Sequence, residues 1–214
     1  MNKSAATILR EYGPFPGVDK VGGVSYDGRH VWIAGGEKLL AIDPDDGTAV
    51  RAIDVACHAG TAFDGKYLFQ IAEDRIHKID PDTGDVLHSI PAPGGGADSG
   101  LAWAEGTLWV GQYRERKIHQ VDPQTGKILR TINSNRFVTG VTWVDGELWH
   151  GTWEGDESDV RRIDPATGEV LEQLEMPAGV AVSGLESDGG ERLFCGGGSS
   201  GKLRSVRRPV RKGG

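Results

Sequence analysis

Apolar residues in this chain fall in short alternating runs, among them Leu68-Phe69-Gln70-Ile71, Leu108-Trp109-Val110 and Ile128-Leu129-Arg130-Thr131-Ile132, and glycine, aspartate or proline bounds each run. A period of two between turn residues predicts strands, many and short. The runs also repeat. Four segments read Ile42-Asp43-Pro44-Asp45-Asp46-Gly47, Ile79-Asp80-Pro81-Asp82-Thr83-Gly84, Val121-Asp122-Pro123-Gln124-Thr125-Gly126 and Ile163-Asp164-Pro165-Ala166-Thr167-Gly168, with aspartates 37, 42 and 42 residues apart. Between them lie Gly23 to Trp32, Gly60 to Phe69, Gly100 to Trp109 and Gly140 to Trp149, each opening on glycine and closing on an aromatic residue nine positions later. Gly184 to Phe194 is a fifth copy, one residue longer.

Each unit holds two apolar runs around a tight turn, a third run ending in Asp-Pro-x-x-Gly, and a fourth, which makes four strands. In the turn, proline presets φ, the aspartate side chain bonds backbone N–H groups beyond it, and glycine supplies the positive φ that closes the hairpin. Four-strand units of about 40 residues predict β-propeller blades. The first three strands occur five times, the last being Leu203 to Val206, and the chain then ends without a fourth strand for that unit. Ala6 to Tyr12 resembles Gly126 to Ile132 and supplies it from the other end. The expected fold is all-β: a single five-bladed β-propeller over residues 1–214, built of four-stranded antiparallel blades. The blades fall at approximately 13–55, 56–93, 94–134, 135–176 and 177–210, and strand 6–12 joins the C-terminal blade to close the ring. Closure leaves only short, protected edges. Trp32, Phe69, Trp109, Trp149 and Phe194 share one repeat position and are expected between blades.

Because antiparallel hairpins alternate in direction, the turns between first and second strands share one face of the ring with the Asp-Pro turns. Loops between second and third strands share the other face with the connections between blades. On that variable face, Trp109 to Asp122 spans 13 positions and Trp149 to Asp164 spans 15, against 11 in the first two units. Long, non-repeating loops on a rigid scaffold are where a site is expected. His58, His150 and Asp98 come from different blades and are read as a general base with orienting partners. Gln70, Glu73, Tyr113, Trp153 and Thr139 are read as substrate contacts; Ser99 and Ser183 accompany Thr139 at the starts of inner strands. Tyr113 and Trp153 occupy a position that other blades fill with Gly36, Glu73 and Gly198, which suggests an aromatic platform for a small molecule. His77 and His119, at matching places on third strands, are expected on a solvated strand face, and His30 and His88 to be structural. Pro91 to Asp98 is glycine-rich, but it lacks Gly-Lys-Ser/Thr and precedes a strand, so it is not a phosphate loop. No cofactor is expected. No local spacing gathers His58, His150, Cys57 and Cys195 into a ligand set, and a divalent metal at the channel mouth is left open.

Composition refines this picture. The 33 glycines have no collagen period and suit many tight turns, and 37% apolar residues suffice for one core. A formal charge of −7 with both signs spread along the chain argues against a nucleic-acid partner. The exception is the C-terminus, where Lys202, Arg204, Arg207, Arg208, Arg211 and Lys212 meet no acid. No apolar stretch suits a membrane span and the N-terminal residues lack a signal-peptide run, so a cytoplasmic protein with no membrane partner is expected. Cys57 and Cys195 are expected as free thiols. The expected partner is a small polar molecule; the oligomeric state is open, and a monomer is compatible with the sequence.

Gly140-Val141-Thr142-Trp143-Val144-Asp145-Gly146-Glu147-Leu148-Trp149-His150-Gly151-Thr152-Trp153 and Arg162-Ile163-Asp164-Pro165-Ala166-Thr167-Gly168-Glu169-Val170 resemble the glutamine cyclotransferase family, the plant-type and bacterial glutaminyl cyclases. The resemblance implies a five-bladed propeller and places Gln70 and Trp153 on substrate. Three of the family's motifs differ here, at Lys20-Val21-Gly22-Gly23-Val24, at His58-Ala59-Gly60-Thr61 and at Thr139-Gly140-Val141, and Ile33 stands where the family has a glutamate. Glutaminyl cyclisation itself is therefore not expected. A more distant likeness is to virginiamycin B lyase, a larger propeller with histidines at its mouth, which suits His58 and His150. The functional expectation is a small-molecule-binding propeller, of lyase or cyclotransferase type if an enzyme; the alternative is a non-catalytic scaffold for a protein or peptide.

Overall fold

The computed structural model describes residues 1–209, and no helix occurs among them. Two strands, β1 (Asn2–Ala5) and β2 (Ile8–Tyr12), precede the repeats. Blade one comprises β3 (Gly23–Tyr26), β4 (Val31–Ala34), β5 (Gly36–Ile42) and β6 (Ala49–Cys57); blade two comprises β7 (Thr61–Phe63), β8 (Leu68–Ala72), β9 (Arg75–Ile79) and β10 (Val86–Pro91). Blade three holds β11 (Asp98–Ala104), β12 (Thr107–Gln112), β13 (Lys117–Val121) and β14 (Ile128–Asn133). Blade four holds β15 (Val138–Val144), β16 (Glu147–Glu154), β17 (Glu157–Ile163) and β18 (Val170–Glu175). Blade five has β19 (Leu185–Ser187), β20 (Arg192–Gly196) and β21 (Leu203–Arg207), with β2 as its antiparallel outer strand. The ring thus closes through the N-terminal strand.

The N-terminus goes further than the repeat implies. Strand β1 runs parallel to β18 and adds a fifth strand to blade four, anchored by the Ala6 N–H donating to the Glu175 carbonyl at 2.7 Å and by Lys3 to Glu175 at 2.7 Å. Asn2-Lys3-Ser4-Ala5 is exposed throughout and held by backbone pairing. Apolar patterning has nothing to report there.

The recurring glycines at the starts of the inner strands have a single cause. A Cβ on Gly23 would lie 2.3 Å from the Ala59 carbonyl oxygen, one on Gly60 2.4 Å from the Leu101 nitrogen, and one on Gly100 2.6 Å from the Thr139 oxygen. One on Gly140 would lie 2.3 Å from the Leu185 nitrogen, and one on Gly184 2.8 Å from the Val24 nitrogen. Each glycine therefore abuts the backbone of the next inner strand, and the contacts run round the ring back to Gly23. At this level the blades meet backbone to backbone, with no room for a side chain.

Outside that ring aromatic pairs join three of the five seams. Phe69 stacks on Trp103 with centroids 5.3 Å apart, Trp109 on Trp143 at 5.7 Å, and Phe194 packs on Tyr26 at 6.1 Å. The seam between blades four and five differs. There Ser187 takes the place of the tryptophan, and the neighbouring Glu186 accepts bonds from the Thr142 hydroxyl and, at 2.8 Å, from the Ser187 N–H. Burial pushes its carboxyl up to about 7, with those two donors opposing the shift.

Each Asp-Pro turn uses its aspartate as expected. Asp122 Oδ1 accepts from the N–H of Gln124 at 2.8 Å and of Thr125 at 2.9 Å, Asp164 from Ala166 at 2.7 Å and Thr167 at 2.9 Å, and Gly126 and Gly168 close the turns at φ 76° and 78°. Part of the C-terminal basic cluster is internally paired: Lys202 and Arg204 meet Glu11 at 3.2 and 2.6 Å, and Arg208 meets Asp145 at 2.6 Å. Arg211 and Lys212 lie outside the described residues. Both cysteines are buried and unlinked.

Candidate functional site

Above the glycine ring, on the variable face, the blades enclose a cavity of about 730 Å³. Its lining includes His58, Glu73, Asp98, Tyr113, Thr139 and Trp153, so six of the eight residues predicted from the sequence meet around one space. Lys20 and Arg114, which sequence reasoning missed, set two cations against the two carboxyls in its wall.

The floor is made by the residues that precede the ring glycines. Ser99 Oγ donates to the Val138 carbonyl at 2.8 Å; Ser183 Oγ donates to the Val21 carbonyl and accepts from the Gly198 N–H at 2.9 Å. Both hydroxyls thereby tie one blade to the next. Thr139 stands at the same register, but its buried hydroxyl has no hydrogen-bond partner. A buried, unsatisfied hydroxyl costs about 1–3 kcal/mol.

The Pro91 to Asp98 loop folds back on its own last residue. The Gly94 N–H donates to both oxygens of Asp98, at 3.0 and 2.9 Å, and Gln112, its cross-strand partner, hydrogen-bonds the carboxyl from the side. The Gly94 amide of the glycine-rich loop is thus occupied by an internal carboxyl. Burial nevertheless dominates and pushes Asp98 up to about 6, the hydrogen bonds opposing it. Behind Asp98 the contacts continue: Gln112 Oε1 lies 3.0 Å from His119 Nε2, and His119 Nδ1 lies 2.7 Å from Thr131 Oγ1.

This corrects the expectation that His119 faces solvent. Its repeat counterpart is Leu40, which is buried, and the strand alternation turns both side chains inward. Burial holds His119 below the ordinary histidine range. His77, at the matching place, is half-buried with Nδ1 2.6 Å from Ser89 Oγ, and burial lowers it too. The apolar counterpart in blade one was the available signal.

His58 accepts the Glu73 N–H on Nδ1 at 3.2 Å, so its neutral ring carries the proton on Nε2, which lies 3.8 Å from Glu37 Oε1. Glu73 presents that N–H from a left-handed backbone, φ 53°, at the position where Gly36 and Gly198 also have positive φ. Strain of about 1–3 kcal/mol in a non-glycine residue there is the kind retained at sites.

Tyr113 and Trp153 meet across blades three and four. The Tyr113 hydroxyl donates to the Trp153 carbonyl at 3.1 Å, and the Trp153 indole N–H donates to the Gly155 carbonyl at 2.8 Å. With both polar handles engaged, their rings are left to offer apolar surface to the cavity. Trp153 sits on a strand and not in a loop: the extra residues of blade four extend the β16–β17 hairpin, pairing Trp153 with Ser158 and Glu154 with Glu157. Asp159 braces that hairpin, accepting from Arg161 at 2.7 and 3.0 Å, Thr152 at 2.7 Å and Gln173 at 3.0 Å.

Two predicted residues lie elsewhere. His150 does not converge with His58 and Asp98; it follows Trp149 on β16, and alternation turns it inward, where it is fully enclosed. Its Nδ1 lies 3.1 Å from the Gly151 carbonyl, and burial drives it down to about 4, so the ring is neutral. Gln70, at the equivalent place in blade two, is also enclosed, its amide donating to the carbonyls of Ala59 at 3.0 Å and Ile71 at 2.8 Å. Among the described residues no three His, Cys, Asp or Glu side chains are grouped to hold a metal ion.

A second cavity, about 430 Å³, opens on the opposite face between blades four and five and is lined by Asp145, Glu147, Arg162 and Arg208. Its charges are already paired, Arg162 with Glu147 at 3.3 Å and Arg208 with Asp145.

Known structures with this architecture include the Myxococcus xanthus glutaminyl cyclase, with a TM-score of 0.80 and 17% identity over 96% of this chain and 97% of that one. A chain of the mitotic checkpoint complex is similar with a TM-score of 0.59 and 13% identity over 95% and 92%, and the WD40 propeller domain of Doa1 with 0.57 and 16% over 88% and 64%. At these identities the likeness is one of fold. No curated protein matches the chain by sequence. The family model described as outer membrane protein assembly factor BamB matches residues 72–209, well over half of the chain, and the protein belongs to that family.

Proposed function

We propose that the mouth cavity binds a small polar molecule bearing an apolar portion, and that Asp98 exchanges a proton with it in a reaction of lyase or cyclotransferase type. One observation carries this reading: a buried carboxyl, Asp98, stands in the wall of one cavity with the Trp153 and Tyr113 rings and the His58 imidazole, and burial pushes it up to about 6. A carboxyl titrating near neutrality both takes and returns protons under physiological conditions. The exposed Trp153 face takes the apolar portion, and His58 supplies its Nε2–H as a donor to a polar atom.

Glutaminyl cyclisation, named for the similar Myxococcus protein, is not the reaction we assign, because Ile33 and Thr139 replace family positions and Gln70 is enclosed. An assay of N-terminal glutamine cyclisation is expected to show no turnover. The competing reading, a non-catalytic scaffold taking a protein or peptide on the same face, draws on the family description as an assembly factor. A thermal-shift and turnover screen of small metabolites separates the two readings. Hits lost in Asp98→Asn and Trp153→Ala support the pocket; no hit at all, with both variants folded, leaves the scaffold.

A further inference from the structure

The chain of contacts behind Asp98 has a property that its members do not have singly. With Asp98 ionised, donors and acceptors fit in one order: the Thr131 hydroxyl donates to His119 Nδ1, His119 Nε2–H to Gln112 Oε1, and the Gln112 amide to the carboxylate. With Asp98 protonated, the same contacts fit in reverse. The carboxylic O–H donates to Gln112 Oε1, the turned amide donates to a bare Nε2, and His119 Nδ1–H donates to Thr131 Oγ1. No member is left unsatisfied in either order. His119 carries one proton in both, and only Asp98 gains or loses one.

We propose that Gln112, His119 and Thr131 form a reversible hydrogen-bond relay that holds Asp98 in both protonation states, with the His119 tautomer switching in step. These three are positioning residues: none lines the cavity, and they act on a bound molecule only through Asp98. The inference rests on the reading of Asp98 as the proton-exchanging group of the mouth and says how the fold supports that role. Burial of His119 is required by it, since an imidazolium has no acceptor nitrogen and would fix the chain in one order. The charge that acts on His119 is Lys117 on its own strand, which disfavours the imidazolium further. The groups that face Asp98 across the cavity are Glu73 and His58 from blade two, Tyr113 and Arg114 from the β12–β13 turn, and Lys20 ahead of β3.

The test is nitrogen NMR of the histidine rings in the whole protein, with the His119 signals assigned by their loss in His119→Gln. The carbon signal of the Asp98 carboxyl is followed over the same pH series. The expected result is a His119 ring that stays neutral throughout and passes from the Nδ1–H to the Nε2–H form as pH rises, with the midpoint of Asp98. In Asp98→Asn the pH response is lost. In Gln112→Leu, Asp98 still titrates while His119 no longer follows it, which separates a cut relay from a damaged fold. A single tautomer across the Asp98 transition, or protonation of His119 to imidazolium at that midpoint, would overturn the relay. Its failure is distinct from that of the functional reading: a metabolite screen without hits removes the bound molecule and leaves the tautomer switch in place.

Discussion

Asp164 and Asp98 occupy opposite faces of the ring and do the same thing locally, each accepting backbone N–H bonds within a proline- and glycine-containing turn. Their titration goes in opposite directions. Asp164, only half-buried, is held below the ordinary carboxylate range by the N–H groups of Thr167 and Ala166. Asp98, buried at the mouth, is raised despite the Gly94 N–H and the Gln112 amide. The difference lies in desolvation, which penalises the charged form more than these donors reward it. The Asp-Pro face spends its polar groups on closing turns. The mouth keeps a buried carboxyl raised to about 6 and two aromatic faces.

The largest effect is expected where both faces depend on one feature. Gly140→Ala forces a Cβ to 2.3 Å from the Leu185 nitrogen and 2.5 Å from the Gly184 carbon, and nothing there is a flexible side chain that can give way. Loss of soluble protein, or the largest fall in Tm of any variant here, is expected. Gly106→Ala, with open space around its Cβ but φ 76°, is expected to cost only about 1 kcal/mol in backbone strain. Trp109→Ala comes next: it removes the stack on Trp143 and is expected to cost about 3–5 kcal/mol by denaturant unfolding.

Two carboxyls raised by desolvation make stability fall as pH rises. For Glu186, held at about 7 in the folded chain, the unfolded chain releases the proton first, near the ordinary glutamate value. Between those values the folded state binds the extra proton, so its stabilising effect is present at acid pH and is lost as pH rises through the window. Glu186→Gln keeps an acceptor for Thr142 and the Ser187 N–H and is expected to raise Tm above neutrality and to leave it unchanged at acid pH. Asp98→Asn is expected to remove a smaller part of the same slope, ending near the Asp98 midpoint of about 6, and to abolish ligand-induced shifts as well. Thermal melts across pH read both. If Glu186→Gln lowers Tm equally at every pH, the seam between blades four and five is mis-described. The smallest effect is reserved for Asp164→Ala, a few degrees at most, with mouth binding intact.

The fold was legible because its causes recur. Five glycines at one register, four Asp-Pro turns and five aromatics at a fixed spacing each report a contact made once per blade, and the missing outer strand of blade five pointed to residues 6–12. Strand β1 escaped notice because an exposed, backbone-paired edge strand needs no apolar pattern. At the mouth, positions that break the repeat identified Tyr113 and Trp153, and topology identified His58, Glu73, Asp98 and Thr139. His150 and Gln70 lie enclosed away from that cavity because residues one position apart on a strand face opposite blades, and a histidine or glutamine at an inward position looks the same in sequence as one at a rim. The burial of His119 was hidden for the same reason, although Leu40 at its counterpart carried the information.

The central claim, that the mouth and not the Asp-Pro face receives a small polar molecule, meets its most direct test in thermal-shift titration of one panel of organic acids, amino acids and sugars. The panel is run against the wild type, Trp153→Ala and Tyr113→Ala at the mouth, and Asp82→Ala on the opposite face. The account predicts at least one compound whose stabilisation of the wild type is lost in both mouth variants and kept in Asp82→Ala. Stabilisation that survives both mouth variants would contradict it.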